Sequence, residues 1–399
     1  MKQTRRLIAV CLSLLLMLAA LAIPAFAADD APALRFRDDG TFTILHLTDT
    51  QDDQYPAKEL RPFLEKAIET AKPDLIVFTG DLVEDLRIGD KHADDRPVLE
   101  GVVAYGITGK DLDKTTENAF AAADYVLSIF ENSGVPFALA QGNNDYKVNV
   151  YNAEWELFYK NYAHCLVNDM SEFSDGIDYR LPLYGSDGSL KLNLYCMDSG
   201  TSAVDDVSLN WYKADSDAQK AQNGKTVPAF VFQHIPVDEV SRLFVSCGAQ
   251  DPDGVLVADF GAFRYYKLAD TAHGYFSTVY HSETGGSDEF AAWKQQGDVI
   301  AAFFGHTHQD GITGTYDGIE LNITYGCEFA KDGPYGMRVI TLREDDVTQY
   351  DNQVYTYTGG TFTADPDQAP AKTLPQKISM FFDSLFYVIK TMIRKVVSL

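Results

Sequence analysis

Seven residues of this sequence have side chains suited to divalent cations and stand just past compact apolar runs: Asp49, Gln51, Asp81, Asn143, His234, His306 and His308. Two such ions a few ångströms apart need a carboxylate shared between them, with neutral imidazoles and amide or carboxylate oxygens completing each shell. Asp81 is the natural bridge, because it follows Gly80 and can approach both ions without neighbouring bulk. Asp49 and His308 would hold one ion, and Asn143, His234 and His306 the other. A pair of this kind binds a phosphate oxygen, offsets charge in the transition state and acidifies a bound water, so no covalent intermediate is required. The expected cofactor is therefore two divalent metal ions.

A single histidine is more often a satisfied core or surface group than a ligand. His306 and His308 differ, because they follow a buried run and Gly305, whose turn can aim both at one point. His46 sits inside an apolar run and reads as structural, and Asp198 is assigned no role.

The elements that must position these side chains are legible from hydrophobic spacing. Residues 42–47 form a compact β-branched run that ends at Thr48-Asp49, and 59–71 have the apolar spacing of a helix. A second apolar run, 75–78, ends at Gly80-Asp81, which completes a β-α-β unit with strands apolar on both faces. The pattern recurs with a helix at 116–132, a strand at 135–140 and the loop Gly142-Asn143-Asn144-Asp145. Runs at 227–232 and 299–304 then lead into His234 and into Gly305-His306-Thr307-His308. In open α/β sheets, ligand sites lie beyond the carboxyl ends of the strands, where all five loops would gather. The polar stretches 85–95 and 213–225 lack periodicity and read as surface insertions. Residues 346–375, punctuated by Pro366, Pro370 and Pro375, read as a linker.

In order and spacing, Asp49 in TDTQ, Gly80-Asp81, Gly142 to Asp145, His234 and Gly305 to His308 resemble the five signatures of calcineurin-like metallophosphoesterases. The closer likeness is to the purple-acid-phosphatase-like subgroup, through Tyr195 to Gly200, Phe232 to Pro236, Gly297-Asp298-Val299 and Thr324-Tyr325-Gly326. It covers about residues 40 to 345 and implies an α/β (α+β four-layer) fold, an αββα sandwich of two mixed sheets flanked by helices, as a domain over 34–345. It also implies a phosphoesterase in which Asp81 and position 144 act at the phosphate.

Three departures from the family pattern follow. The family has Asp-x-His where this chain has Asp49-Thr50-Gln51, and amide oxygen is a harder, weaker ligand than imidazole. That favours manganese and leaves zinc, iron, magnesium and calcium open. The family's histidine after the loop asparagine is Asn144 here, which can orient a phosphate but cannot donate a proton as an acid. General acid catalysis is typically worth about two to four powers of ten, so Asp145, His92, His273 and His281 are the substitutes to consider. The tyrosinate of true purple phosphatases is replaced by Glu84, so no purple centre is expected.

The formal net charge is −25. The opening MKQTRRLIAVCLSLLLMLAALAIPAFA has Lys2, Arg5 and Arg6 before an apolar run and ends in Ala25-Phe26-Ala27, the pattern of a signal peptide over 1–27. Removing its three cations would bring −25 to −28, and a chain so acidic is not expected to bind nucleic acid. The chain is expected to be exported, extracellular or associated with the cell envelope. Cys165, Cys196, Cys247 and Cys327 would remain without short C-x-x-C pairing, which argues against a zinc knuckle and leaves disulfides and free thiols both open.

Residues 376–399 carry a broad apolar face with Lys377, Lys390, Arg394 and Lys395 opposite, so an interfacial helix on anionic lipid is expected. Segment 281–286 reads as a flexible surface turn, and Trp211, Tyr265 and Tyr266 as buried aromatics. The expected function is hydrolysis of a phosphate mono- or diester by a secreted or surface-attached dinuclear-metal phosphoesterase. Its substrate would be a phosphate-ester small molecule or an envelope component. The alternative is a catalytically weakened metal-binding surface or scaffold protein on the same fold.

Overall fold

A computed structural model describes residues 34–84, 88, 109–148, 150–259, 262–281 and 287–364. The segments expected to be a signal peptide (1–27) and an interfacial helix (376–399) lie outside them. So do His92 and most of the polar stretch 85–95.

In chain order the first strands and helices are β1 (Leu34–Arg35), β2 (Thr41–Leu47), α1 (Leu60–Ala71), β3 (Leu75–Thr79), α2 (Gly109–Ser133) and β4 (Phe137–Ala140). Then come α3 (Asn152–Tyr159), β5 (Tyr179–Tyr184), β6 (Leu190–Cys196), α4 (Asp206–Asn223) and β7 (Ala229–Phe232). A small antiparallel sheet follows, made of β8 (Phe244–Cys247), β9 (Val255–Asp259) and β10 (Ala262–Leu268). The remainder is β11 (Ala272–Tyr275), α5 (Glu289–Gln296), β12 (Val299–Phe304), β13 (Gly311–Tyr316), β14 (Ile319–Ile323), β15 (Tyr335–Arg343), β16 (Asp351–Thr358) and β17 (Thr361–Ala364).

Two mixed sheets carry the core. One runs β17-β16-β15-β2-β3-β4 and the other β1-β5-β6-β7-β12-β14-β13-β11. Strands β2, β3 and β4 are parallel neighbours, as are β6, β7, β12 and β14, so the loops that follow them leave from carboxyl ends. Side chains alternate across a strand, and here the alternation builds the layers. Phe230, Phe232, Ala301 and Phe303 join a core cluster shared with the first sheet and helices α1 and α2. Their neighbours Val231, Ala302 and Phe304 join a second cluster with Leu209 and Tyr212 of α4 and Phe290 and Trp293 of α5. The result is helices, sheet, sheet, helices, the αββα sandwich expected.

His46 lies between the sheets, its ring edge-on to Phe232 and Phe303 with centroids 5.6 and 6.0 Å away. Its Nε2 is 2.8 Å from the Thr79 hydroxyl and its Nδ1 is 2.9 Å from that of Thr324. Burial, and then the Arg338 charge, hold its pKa well below the usual value, which keeps it neutral. It is a structural polar link. Arg338 is a second one: fully buried on β15, it donates to the Thr324, Thr313 and Asn352 side chains and to the carbonyls of Ile312 and Ile323.

Two expectations are corrected. Residues 351–364, placed in a linker, are strands β16 and β17 and extend the first sheet, so the folded domain runs past 345. Tyr357 and Phe362 pack on Phe63 of α1, a contact that alternating Thr and Tyr does not announce as core. Residues 213–223, placed in an insertion, are the second half of α4. Their buried face carries Ser216 and Gln219 in place of apolar residues, and Ser216 donates to Asp298 at 2.6 Å, so a search for apolar periodicity passes over it. The four described cysteines are free thiols.

Candidate metal centre

All seven residues picked out by type fall in five loops at the carboxyl ends of β2, β3, β4, β7 and β12. The backbone there is unusual. Among the described residues, eight non-glycine residues have positive φ, and five of them are Asp49, Gln51, Asp81, His306 and His308. This left-handed conformation costs a non-glycine residue about 1–3 kcal/mol, and it persists only where surrounding structure over-determines it. Glycines make the close approach possible. A Cβ on Gly142 would strike the Asp81 backbone nitrogen and carboxylate, and one on Gly305 would strike Thr48 and Asp49.

The polar atoms converge as two groups. In the first, the Oδ1 of Asn143 is 2.9 Å from His306 Nδ1 and 3.1 Å from His234 Nε2. His234 donates through Nδ1 to the Thr79 carbonyl at 2.7 Å, which leaves Nε2 facing the site. In the second, His308 Nε2 is 3.5 Å from Asp49 Oδ1 and 3.2 Å from the Gln51 amide nitrogen. Asp81 joins them, since its Oδ2 is 3.3 Å from His234 Nε2 and 2.5 Å from the Gln51 amide. Asp81 is thus in contact with members of both groups. Asp49, Gln51, Asp81 and His234 are buried, whereas Asn143, His306 and His308 are partly exposed and mark the open side.

Whether these residues suit metal can be tested on Asp49. Its carboxylate is fully buried; Oδ2 accepts from the Thr48 hydroxyl at 2.7 Å and the His306 backbone at 3.0 Å, while Oδ1 has no hydrogen-bond partner. Leaving a carboxylate oxygen buried and unmet is costly, and a cation is its natural complement. Ligand atoms of Asp49, Asp81 and His234 lie within 4.8 Å of one another. The donor set fits divalent metal.

Charges around the site support this. Burial opposes a charged His234, but the carboxylates Asp81 and Asp49 outweigh it and raise the ring to about 9. Burial would raise Asp81 too, yet the His234 charge and its hydrogen bond hold it below the usual carboxylate range. His306 is pushed down to about 3 by burial and by His234. A proton on His234 thus offsets the carboxylates, and a bound cation would compete for that same place.

Sequence reasoning missed the supporting roles of three residues. Glu328 is buried and its Oε2 lies 2.8 Å from His308 Nδ1, which directs Nε2 of that ring inward. Asp145, raised as a substitute acid, instead accepts from the backbone N–H groups of Asp81 and Gly142 at 2.9 Å each and of Val83 at 3.2 Å. Lys147 donates to Asn144 Oδ1 at 2.9 Å. The one signal for Glu328 was its place just after Thr324-Tyr325-Gly326.

Asn144 departs from expectation. Its side-chain amide was expected to face a phosphate, but Nδ2 donates to Asp81 Oδ2 at 2.8 Å and its backbone N–H to Asp81 Oδ1 at 2.8 Å. Residue 144 therefore holds the Asp81 carboxylate through both of its oxygens. His273 lies on β11, and His281 sits 3.1 Å from Asp259. The neighbour of His281, Tyr280, packs edge-on to His306 with centroids 6.2 Å apart. Glu84 is buried beside Asp52, whose carbonyl accepts its N–H at 3.0 Å.

Comparison with known proteins agrees with this geometry. The family model "Calcineurin-like phosphoesterase" matches residues 42–310, a span that includes all seven residues. "Probable inactive purple acid phosphatase 28" of Arabidopsis thaliana is 25% identical over 330 residues, covering 72% of this chain and 70% of that protein. "Probable inactive purple acid phosphatase 14" of the same plant is 26% identical over 353 residues, covering 76% and 74%. Among solved structures, a dimetal phosphatase from Danio rerio superposes with a TM-score of 0.45 at 12% identity, covering 79% of this chain and 95% of that one. With the five loops gathered at one sheet end and the family match spanning them, this chain belongs to the calcineurin-like phosphoesterases, with relatives named as probable inactive purple acid phosphatases.

Proposed function

We propose that this chain is an exported phosphoesterase that hydrolyses a phosphate mono- or diester at two divalent ions, with manganese favoured. The observation that carries the reading is the pair of ligand groups joined by Asp81, with the buried Asp49 Oδ1, which has no hydrogen-bond partner, in one of them. Asp49, Gln51, Asp81 and His308 would hold one ion, and Asp81, Asn143, His234 and His306 the other. When bound, such ions polarise a phosphoryl oxygen and acidify water.

The chain's own residues supply geometry. Glu328 and the Thr79 carbonyl fix which nitrogen His308 and His234 present. Asn144 and Asp145 fix Asp81 through its side chain and backbone, and the open side at Asn143, His306 and His308 admits the ester. Export is supported by the charged, apolar, small-residue pattern of residues 1–27, and contact with a membrane surface by the basic amphipathic pattern of 376–399. The substrate is then a phosphate-ester small molecule or an envelope component.

The replacement of histidine by Asn144, and the turning of that side chain to Asp81, favour as a second reading a metal-binding surface protein of weakened turnover. Metal content, followed by hydrolysis of chromogenic mono- and diesters with manganese in wild type and Asp81→Ala, tests both. Activity in wild type that Asp81→Ala abolishes supports the enzyme. Equal activity in the two proteins sinks the mechanism, and metal binding without activity in either favours the second reading.

A further inference from the structure

A cavity of about 650 Å³ opens beside the turn that follows the metal loop. Its walls come from three parts of the chain: Tyr146 with the start of α3, the segment that leads into β5, and the loop between β6 and α4. None of the seven metal-type residues lines it, although Tyr146 follows Asp145, whose carboxylate braces Asp81. The volume suits a small organic molecule.

Aromatic rings form part of the walls. The Tyr146 hydroxyl is taken up by Asp198 at 2.6 Å and by the Asn152 side chain at 2.6 Å, so its ring is what remains for a ligand. Tyr151 lines the cavity with 70% of its surface exposed, and Phe173, next to the lining residue Ser174, is 92% exposed.

The charge on the walls has one sign. Glu156, Asp169, Asp175, Asp198 and Asp205 line the cavity, and no lysine, arginine or histidine does. Among the described residues, only Glu156 of these five is in an ion pair, with Lys160 at 2.7 Å. Asp198 is the buried one, its Oδ2 accepting from the Tyr146 hydroxyl and from the Ile177 N–H at 3.0 Å, its Oδ1 from the Gly200 N–H at 2.8 Å. These dipoles hold its carboxylate without a countercharge. The five do not converge on a metal ion: among the described residues, the three acid or imidazole groups with ligand atoms within 4.8 Å of one another are Asp49, Asp81 and His234. Carboxylates spread around an aromatic-walled space suit a bulky cation, whose charge they meet while its methyl or methylene groups lie against the rings.

We propose that this cavity is a binding site for a small organic ammonium ion, separate from the metal centre, with Asp175 and Asp198 supplying charge and Tyr146 and Tyr151 supplying ring surface. It stands apart from the phosphoesterase reading, because no metal-type residue takes part.

Choline and its uncharged isostere neohexyl alcohol, in which a carbon replaces the nitrogen, are the probes, titrated into the manganese-loaded full chain at constant ionic strength and followed by calorimetry. Choline is expected to bind about tenfold or more tightly than the alcohol. Asp198→Asn should weaken choline about tenfold and Asp175→Asn about threefold, while Asp270→Asn, which removes an equal charge from the turn between β10 and β11, should change it less than about twofold. Tyr151→Leu should weaken it about threefold, with Tyr151→Phe keeping wild-type affinity. Unchanged melting of Asp198→Asn removes misfolding as the cause; if it melts early, the exposed positions Asp175 and Tyr151 carry the comparison. No choline binding by wild type, or equal affinity for choline and the alcohol, overturns the proposal. So do equal losses in the Asp270, Asp175 and Asp198 variants, which would reduce the effect to general attraction by a chain of net charge −25. Choline that manganese displaces from the metal-free protein would lie in the metal centre, and that result overturns it as well.

Discussion

The carboxylate of Asp145 holds the backbone of Asp81: its Oδ2 accepts the Asp81 N–H at 2.9 Å and that of Gly142 at 2.9 Å, while Oδ1 accepts from Val83 at 3.2 Å. The residue that bridges the two ligand groups is thus fixed from behind by a side chain 64 positions away. Burial and the nearby Asp81 charge push Asp145 up to about 7, the electrostatic penalty of setting one carboxylate behind another.

Asp145→Ala should therefore cost more than a surface change. Three buried N–H groups lose their acceptor, which predicts a loss of about 3 kcal/mol or more in chemical denaturation, with weaker manganese binding. Asp145→Asn keeps one carbonyl oxygen and should retain most of the stability. Equal stability of all three proteins would show that the bracing is dispensable.

Gln51 carries φ +36, a conformation that histidine tolerates among non-glycine residues. Replacing the amide by imidazole in Gln51→His should raise zinc affinity by about tenfold or more and change manganese affinity much less, read by competition against a chelating dye. No gain for zinc would mean that Gln51 does not face the ion held by Asp49 and His308.

Metal should also appear as stability. Manganese at about 100 times its Kd is expected to add about 2.7 kcal/mol, a rise in Tm of about 5 °C, reversed by a chelator. Asp81→Ala should show no such rise. A wild type whose melting ignores both manganese and chelator would contradict the metal centre.

A pH effect is expected away from the metal loops. Asp178 is buried, accepts from the Asp198 backbone N–H at 2.8 Å and from the hydroxyls of Ser171, Ser174 and Ser208, and is pushed up to about 7 by burial and by Asp198. A carboxyl group whose folded-state pKa is raised binds its proton more tightly when folded. Its contribution is fully present below about pH 4 and is lost as pH rises through about 7. Thermal unfolding between pH 5 and 8 should show wild type losing stability relative to Asp178→Asn. A constant difference across that range would remove Asp178 as the cause.

The fold was readable where apolar runs end in polar loops. Asp49, Asp81, Asn143, His234, His306 and His308 each announce themselves by residue type at a strand end, and a buried strand needs no partner to be seen. What failed were elements whose inward face is not apolar. Ser216 and Gln219 of α4 bury hydrogen-bonding groups, and β16 buries only Val354 and Thr356 while β17 has no buried residue, so neither gave hydrophobic periodicity. The supporting residues were hidden for another reason. Glu328, Asp145 and Lys147 act by contacts to residues distant in sequence or by tethering a neighbour, and no composition or spacing marks such a role.

The left-handed backbone at five positions of the candidate metal centre has a consequence for how such chains change over evolutionary time. Sites that demand positive φ accept aspartate, asparagine, histidine and glycine most readily, and three of those four can coordinate metal. Drift at Asp49, Asp81, His306 or His308 is therefore channelled into ligand-like residues by conformation alone, even if turnover is no longer under selection. Position 144 carries no such restriction, with φ −79 in ordinary helical space. Its backbone leaves the residue type open, and the asparagine there braces the Asp81 carboxylate through both its side chain and its backbone N–H.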